Sequence, residues 1–130
     1  MGLKDIHNLD FAVILCTDMA ETRRFYEEVM GFPVEIDTEN WVSFRIGATL
    51  LTLRPRDCMP IWRDGPVDPG SASIQLAFRV PPAEVDVCYE ELKAQGVPIV
   101  REPTDLLSWR HRTLFFRDPE NNVIEIYAEV

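Results

Sequence analysis

The segment "YEEVMGFPV" at 26–34 returns as "YEELKAQGVPI" at 89–99, at an offset of 63–65 residues and with two residues inserted. The shared Tyr-Glu-Glu and the Gly-x-Pro that follows it exceed what two unrelated amphipathic helices share by chance. In a chain of 130 residues, such an offset leaves room for two copies of one supersecondary unit and little else.

The patterning around the repeat says what the unit is. Residues 9–17 (LDFAVILCT) form an apolar run bounded by polar residues, the mark of a buried strand. Asp18, with Glu21 three positions on, has the spacing of a capping box. Met19, Thr22, Tyr26, Val29 and Met30 then recur at helical spacing until Gly31, which suits the position just past a helix end. Three strands are expected next, at Pro33–Asp37, Trp41–Ile46 and Thr49–Arg54, with turns at 38–40 and 47–48. From Pro55 to Ser71 the chain carries Pro55, Pro60, Pro66 and Pro69 with Gly65 and Gly70, and it reads as a long irregular connection. The second half repeats the first. Residues 72–80 read as a strand, and Pro82 suits an early helical position. Val85, Cys88, Tyr89 and Leu92 mark a helix face that ends at Gly96, and strands follow near Pro98–Arg101, Arg112–Arg117 and Val123–Ala128. The expected fold class is α+β: two tandem β-α-β-β-β modules in a single domain, module one about 9–54, a linker about 55–71 and module two about 72–130.

Apolar residues make up 46% of the chain and charged residues 27%, the balance of a soluble globular protein. Thirteen basic against twenty-two acidic side chains leave a formal net charge of −9, a sign that repels a phosphate backbone, so nucleic acid is not an expected partner. No apolar run approaches the roughly 18–20 residues that cross a bilayer, and the first residues lack the apolar core of a signal peptide. Cys16, Cys58 and Cys88 are too scattered for a disulfide framework or a CxxC metal clip. The expectation is a cytoplasmic protein with no membrane partner.

Asp18-Met19 with Phe25-Tyr26 and Gly31-Phe32, together with the closing run "HRTLFFRDPENNVIEIYAEV" at 111–130, resembles the vicinal oxygen chelate superfamily of glyoxalases, bleomycin-resistance proteins and extradiol dioxygenases. Asp118-Pro119 with Asn122 and Ile124-Glu125-Ile126 is similar to the last hairpin of that family. Asn121 stands where the family usually places glycine, and Asn tolerates a left-handed turn position better than most residues. The resemblance implies a cup-shaped mixed sheet with helices on its outer face, and a tendency to form homodimers. It also implies that, where metal is used, four ligands come from the first and fourth strands of both modules.

Carried onto this sequence, those four positions are Phe11, Thr52, Gln75 and Glu125. Only Glu125 is a good ligand, and Gln75 is a weak one. A usefully bound divalent cation wants several imidazole, carboxylate or thiolate donors. No metal or other cofactor is therefore expected, with Gln75 and Glu125 the weak candidates should a divalent metal bind. His7 lies ahead of the first strand, and His111, in "SWRHRT", stands at a loop-to-strand junction where it reaches the rim of the cup.

Strand alternation sorts the remaining residues into two faces. Phe11 travels with Val13 and Leu15, Thr52 with Leu50 and Arg54, Gln75 with Ala77 and Arg79, and Glu125 with Val123 and Tyr127. The opposite face carries Ile14, Cys16, Leu51, Leu53, Leu76, Phe78, Ile124 and Ile126, uniformly apolar as a face under helices should be. The first face mixes apolar walls with a few polar groups, the composition of a small-molecule pocket. Trp41 opens the third strand, Trp62 sits in the long connection and Trp109 in the loop before the seventh strand, places from which aromatic rings clamp planar ligands. With the acidic balance, they point to an aromatic or cationic guest. An opposite reading uses Arg54, Arg79 and Arg112: eleven of the thirteen basic residues are Arg, and guanidinium forks suit carboxylate or phosphate groups unless the chain's own acids take them first.

Catalysis without metal would rest on Glu125 as general base beside a carbonyl, assisted by Tyr127 or His111. The sequence holds no Ser-His-Asp arrangement, phosphate-cradling glycine loop or dinucleotide fingerprint. The expected function is metal-independent small-molecule binding in an aromatic-lined cavity. Its contacts are expected from the aromatic Phe11, Trp41, Trp62, Trp109 and Tyr127 and from the polar Thr52, Arg54, Gln75, His111 and Arg112. The alternative is a lyase, isomerase or dioxygenase of the same superfamily that uses metal or Glu125.

Overall fold

The structure, a computed structural model, describes residues 2–130. The chain divides into two compact units, Met1–Pro66 and Val67–Val130, so the division falls inside the Pro- and Gly-rich connection.

The first unit contains β1 (Phe11–Cys16), α1 (Met19–Arg24), β2 (Val34–Thr38), β3 (Trp41–Ile46) and β4 (Thr49–Pro55). Its sheet has the order β1-β4-β3-β2, with β1 parallel to β4 and the other pairs antiparallel. Asp18 caps α1 through its carboxylate, which accepts from the Glu21 N–H at 3.0 Å, as the capping spacing requires. The helix continues into a π-helical turn at Phe25–Val29, where the Met30 N–H bonds to the Phe25 carbonyl at 2.9 Å, and Gly31 at φ 72° ends it. Thr22, Phe25 and Tyr26 are buried on this helical segment. Ile14, Cys16, Val42, Phe44, Leu51 and Leu53 are buried on the sheet. Tyr26 and Phe44 meet with ring centroids 6.2 Å apart, which fixes helix and sheet together by an aromatic pair.

The second unit contains β5 (Gln75–Arg79), α2 (Glu84–Ala94), β6 (Ile99–Leu106), β7 (His111–Arg117) and β8 (Val123–Glu129), in the order β5-β8-β7-β6 with β5 parallel to β8. The strand order is that of the first unit, so the repeat in letters is a repeat in topology. Val85 and Leu92 of α2, Leu114, Phe116, Ile124, Ile126 and Ala128 are its buried apolar residues. Strand bounds differ from the expectation: β5 spans Gln75–Arg79 rather than 72–80, and β8 runs one residue further, to Glu129. β6 runs on to Leu106, with register shifts between Ile99 and Arg101 and between Arg101 and Thr104. Those irregularities let an edge strand pass Pro103, which has no N–H to donate. His111 opens β7 rather than preceding it, because the turn at 107–110 is closed by Arg110 at φ 55° and by a hydrogen bond of 2.8 Å from the Val130 N–H to the Arg110 carbonyl.

The last hairpin is set by Asp118. One carboxylate oxygen accepts the N–H groups of Glu120 and Asn122, both at 2.9 Å, and the other accepts Asn122 Nδ2 at 3.0 Å. Asn121 takes φ 67°, the left-handed conformation anticipated for a position where glycine is usual. Asn122 Oδ1 in turn accepts the Ile74 N–H at 3.2 Å, tying the start of β5 to this turn. Among the described residues, no helix is long and apolar enough to cross a membrane.

Candidate functional site

Each unit covers one face of its sheet with a helix and leaves the other face to the residues that alternate with its core. On the first unit, Phe11 pairs with Leu50, Val13 with Thr52 and Leu15 with Arg54 across the parallel β1–β4 ladder, while Ser43 faces Thr52 from β3. Phe11, at one end of this face, is 46% exposed, and its ring meets that of Trp41 edge-on with centroids 5.9 Å apart and planes at 78°. Between them in register lie Ser43 and Thr52, both buried, with hydroxyls 2.7 Å apart. This face is therefore an aromatic edge over a self-satisfied pair of hydroxyls.

Arg54 closes the far end of the face, and its guanidinium already holds a carboxylate. Nη1 and Nη2 donate to the two oxygens of Asp64 at 2.9 and 2.7 Å, and the side chains are only 6% and 3% exposed. Trp62 lies over the guanidinium at 5.9 Å and gives its indole N–H to Asp64 at 3.2 Å. The Arg54 guanidinium, followed by the Asp57 backbone N–H, holds the Asp64 carboxyl well below the usual carboxylate range. Asp64 was invisible to periodicity, since it sits in a segment with none. It is one of three acids, with Asp57 and Asp68, among the prolines and glycines of 55–71, and its one signal is its reach of an Arg near the end of a strand.

On the second unit, Glu125 stands at the centre of β8, 8% exposed, opposite Ala77 of β5 and Phe115 of β7. Its Oε1 accepts from Gln75 Nε2 at 3.3 Å and its Oε2 from the Thr113 hydroxyl at 2.8 Å. Thr113 is fully buried, and sequence alone does not single it out, because its closeness to Glu125 depends on the β7–β8 register. Beside this trio His111 stacks on Tyr127, with centroids 4.5 Å apart and planes at 28°. Trp109, in the turn before β7, is 64% exposed.

The other expected arginines are not gathered with these residues as free forks. Arg112 alternates away from His111 and Thr113 and bonds Asp86 of α2 at 2.8 Å and Asp105 of β6 at 3.0 Å, which raises its pKa and lowers that of Asp86. Arg79 pairs with Glu129 at 3.0 Å, on the surface. The same abundance of acids that gives the chain its negative charge supplies the partners.

The donor chemistry bears on the metal that the fold implies. In the first unit the two ligand positions hold a phenyl ring and a hydroxyl bonded to Ser43. In the second they hold one carboxylate, with both oxygens accepting hydrogen bonds, and one amide that donates to it. Among the described residues, no three His, Cys, Asp or Glu side chains gather as a metal site. Neither set offers the several anionic or imidazole donors that a transition metal requires.

Residues 8–126 match the Glyoxalase/Bleomycin resistance protein/Dioxygenase superfamily. The chain belongs to this superfamily. Its relatives include the virulence protein STM3117 of Salmonella typhimurium, 32% identical over 93% of this chain and 83% of that protein. The crystal structure of a glyoxalase/bleomycin resistance protein/dioxygenase from Nocardioides covers 96% of this chain and 85% of its own with a TM-score of 0.84 at 19% identity. That of lactoylglutathione lyase from Agrobacterium tumefaciens covers 95% of both chains with a TM-score of 0.75 at 20% identity. At these identities the two structures establish the fold, and the superfamily's two-module α+β architecture is the one described above.

Proposed function

We propose that this superfamily member is a small-molecule binding protein that works without a metal and takes a ligand with an aromatic or cationic group. The observation that carries the reading is the first unit's open face, where Phe11 and Trp41 form an aromatic edge and Phe11 keeps nearly half its surface in water. A phenyl ring on a sheet face costs free energy when left wet, and a planar ligand that covers it recovers that cost. On the second unit, Glu125 with the His111–Tyr127 stack supplies a carboxylate and ring faces that favour a cation. The donor sets at the four ligand positions support the metal-free part of the reading. We further propose a cytoplasmic homodimer, in line with the acidic, cysteine-poor composition and with the resemblance.

The test is a thermal-shift screen of aromatic and cationic compounds in the presence of a chelator. Stabilisation that Phe11→Ala or Trp41→Ala removes without lowering the unliganded Tm to the same extent supports the reading. Stabilisation indifferent to Phe11→Ala and Trp41→Ala contradicts the assignment of this face. A lyase or dioxygenase reading, favoured by the name of the Agrobacterium relative and by the partly buried carboxylate of Glu125, predicts turnover of a methylglyoxal–glutathione adduct or a catechol that Glu125→Gln abolishes. Binding without turnover separates the two.

A further inference from the structure

The segment that follows β4 is folded around a carboxylate. Asp64 accepts from Arg54 twice, from Trp62 Nε1 and from the Asp57 N–H at 2.6 Å, while its own N–H donates to Asp57 Oδ1 at 2.7 Å. Four donors on one nearly buried carboxylate are the makings of a carboxylate site, unlike a surface ion pair, which is wet and loosely held. The two partners are held very differently. Arg54 is fixed in β4, in register with Leu15 of β1, on the same face as Thr52 and Leu50. Asp64 belongs to a stretch with no helix or strand, bounded by Pro55 and by Gly65-Pro66, with Gly65 at φ 88° and Asp57 at φ 58°. The host belongs to the sheet, and the guest lies in an irregular segment with a left-handed residue near each end.

We propose that Arg54 is the recognition residue for a ligand carboxylate, and that residues 56–64 form a lid that closes over it with a carboxylate of its own, Asp64, when no ligand is present. The inference rests on the reading that the first unit's open face binds small molecules, and it adds an anionic group to that ligand. A bidentate guanidinium–carboxylate pair is transferable between an internal and an external carboxylate, since the geometry of the fork is the same. The internal one wins by effective concentration until a ligand also gains contacts on the apolar surface beside it, at Leu15, the register partner of Arg54 on β1. Trp62, half exposed and stacked over Arg54, moves with the lid and reports its state.

Benzoate is the probe for the intact protein, with benzamide as its uncharged counterpart. Saturating benzoate is expected to speed hydrogen exchange of the 56–64 amides while leaving those of β4 unchanged, and to shift Trp62 fluorescence. Benzamide is expected to do neither, and Arg54→Lys, which keeps the charge but loses the fork, to weaken the benzoate midpoint by about tenfold. In Asp64→Ala, formate is expected to raise Tm saturably at millimolar concentration, and formamide not to. Strap exchange that benzoate leaves unchanged, or an Asp64→Ala protein that answers formate and formamide alike, overturns the lid. Benzoate binding that leaves the strap closed and survives Arg54→Lys overturns it too, yet leaves the small-molecule reading intact, so the two failures are distinguishable.

Discussion

Two carboxylates at the residue scale show how differently one functional group is treated in this chain. Glu125 is held from both sides by a hydroxyl and an amide. Thr113→Val leaves a buried carboxyl oxygen of Glu125 without its hydroxyl partner and is expected to cost about 1–3 kcal/mol of stability, measured by denaturant unfolding, with Thr113→Ser recovering most of it. Asp64 is held by a guanidinium and a backbone N–H that depress its pKa. A folded-state value below the unfolded one means that the unfolded chain takes up this proton first. The stabilisation is therefore fully present above about pH 5 and is lost as the pH falls below about 4 toward the folded value. The Tm difference between the wild type and Asp64→Asn is expected to be constant from neutral to mildly acidic pH and to shrink in strong acid. A difference that instead grew in acid would contradict the ion pair.

At the scale of elements, the sequence was legible wherever periodicity speaks. Trp41–Ile46 and the apolar run around Phe11–Cys16 appear as strands, and Asp18 caps its helix. What was hidden depends on pairing or on segments without a period. The extension of β6 past Pro103 follows from a partner strand that bridges its irregularities, and the lid around Asp64 follows from side-chain hydrogen bonds within a connection that pattern can only call irregular. Arg112, by contrast, was legible: alternation alone puts it on the face away from His111, where Asp86 and Asp105 hold it, so its expected place beside His111 in a ligand site is corrected. Because that cluster is partly solvated, Arg112→Met is expected to cost less than about 1 kcal/mol. The β7–β8 turn is a sterner test. Asp118→Ala strips three hydrogen bonds from a buried carboxylate and is expected to cost at least about 2 kcal/mol by thermal or chemical denaturation. Asn121→Gly, at φ 67°, is expected to be neutral or to stabilise by up to about 1 kcal/mol.

On the scale of the whole molecule, one duplicated unit accounts for the sequence repeat, the identical strand orders and the superfamily match over residues 8–126. Duplication also explains why the site residues come in corresponding sets, Phe11 and Thr52 in the first unit and Gln75 and Glu125 in the second. Those positions were found by resemblance, and their chemistry was then readable from residue type alone: a phenyl ring carries no donor atom, whatever the fold. What the letters could not supply was the occupancy of the polar groups, since Thr52 is taken by Ser43, Glu125 by Thr113 and Arg54 by Asp64. Ligand binding without a metal is checked by metal content per chain, measured on untagged protein as isolated and after anaerobic soaking with nickel, manganese, iron(II) and zinc. Substoichiometric metal that Glu125→Ala leaves unchanged is the expected result; near-stoichiometric metal that this substitution removes would overturn metal-free binding.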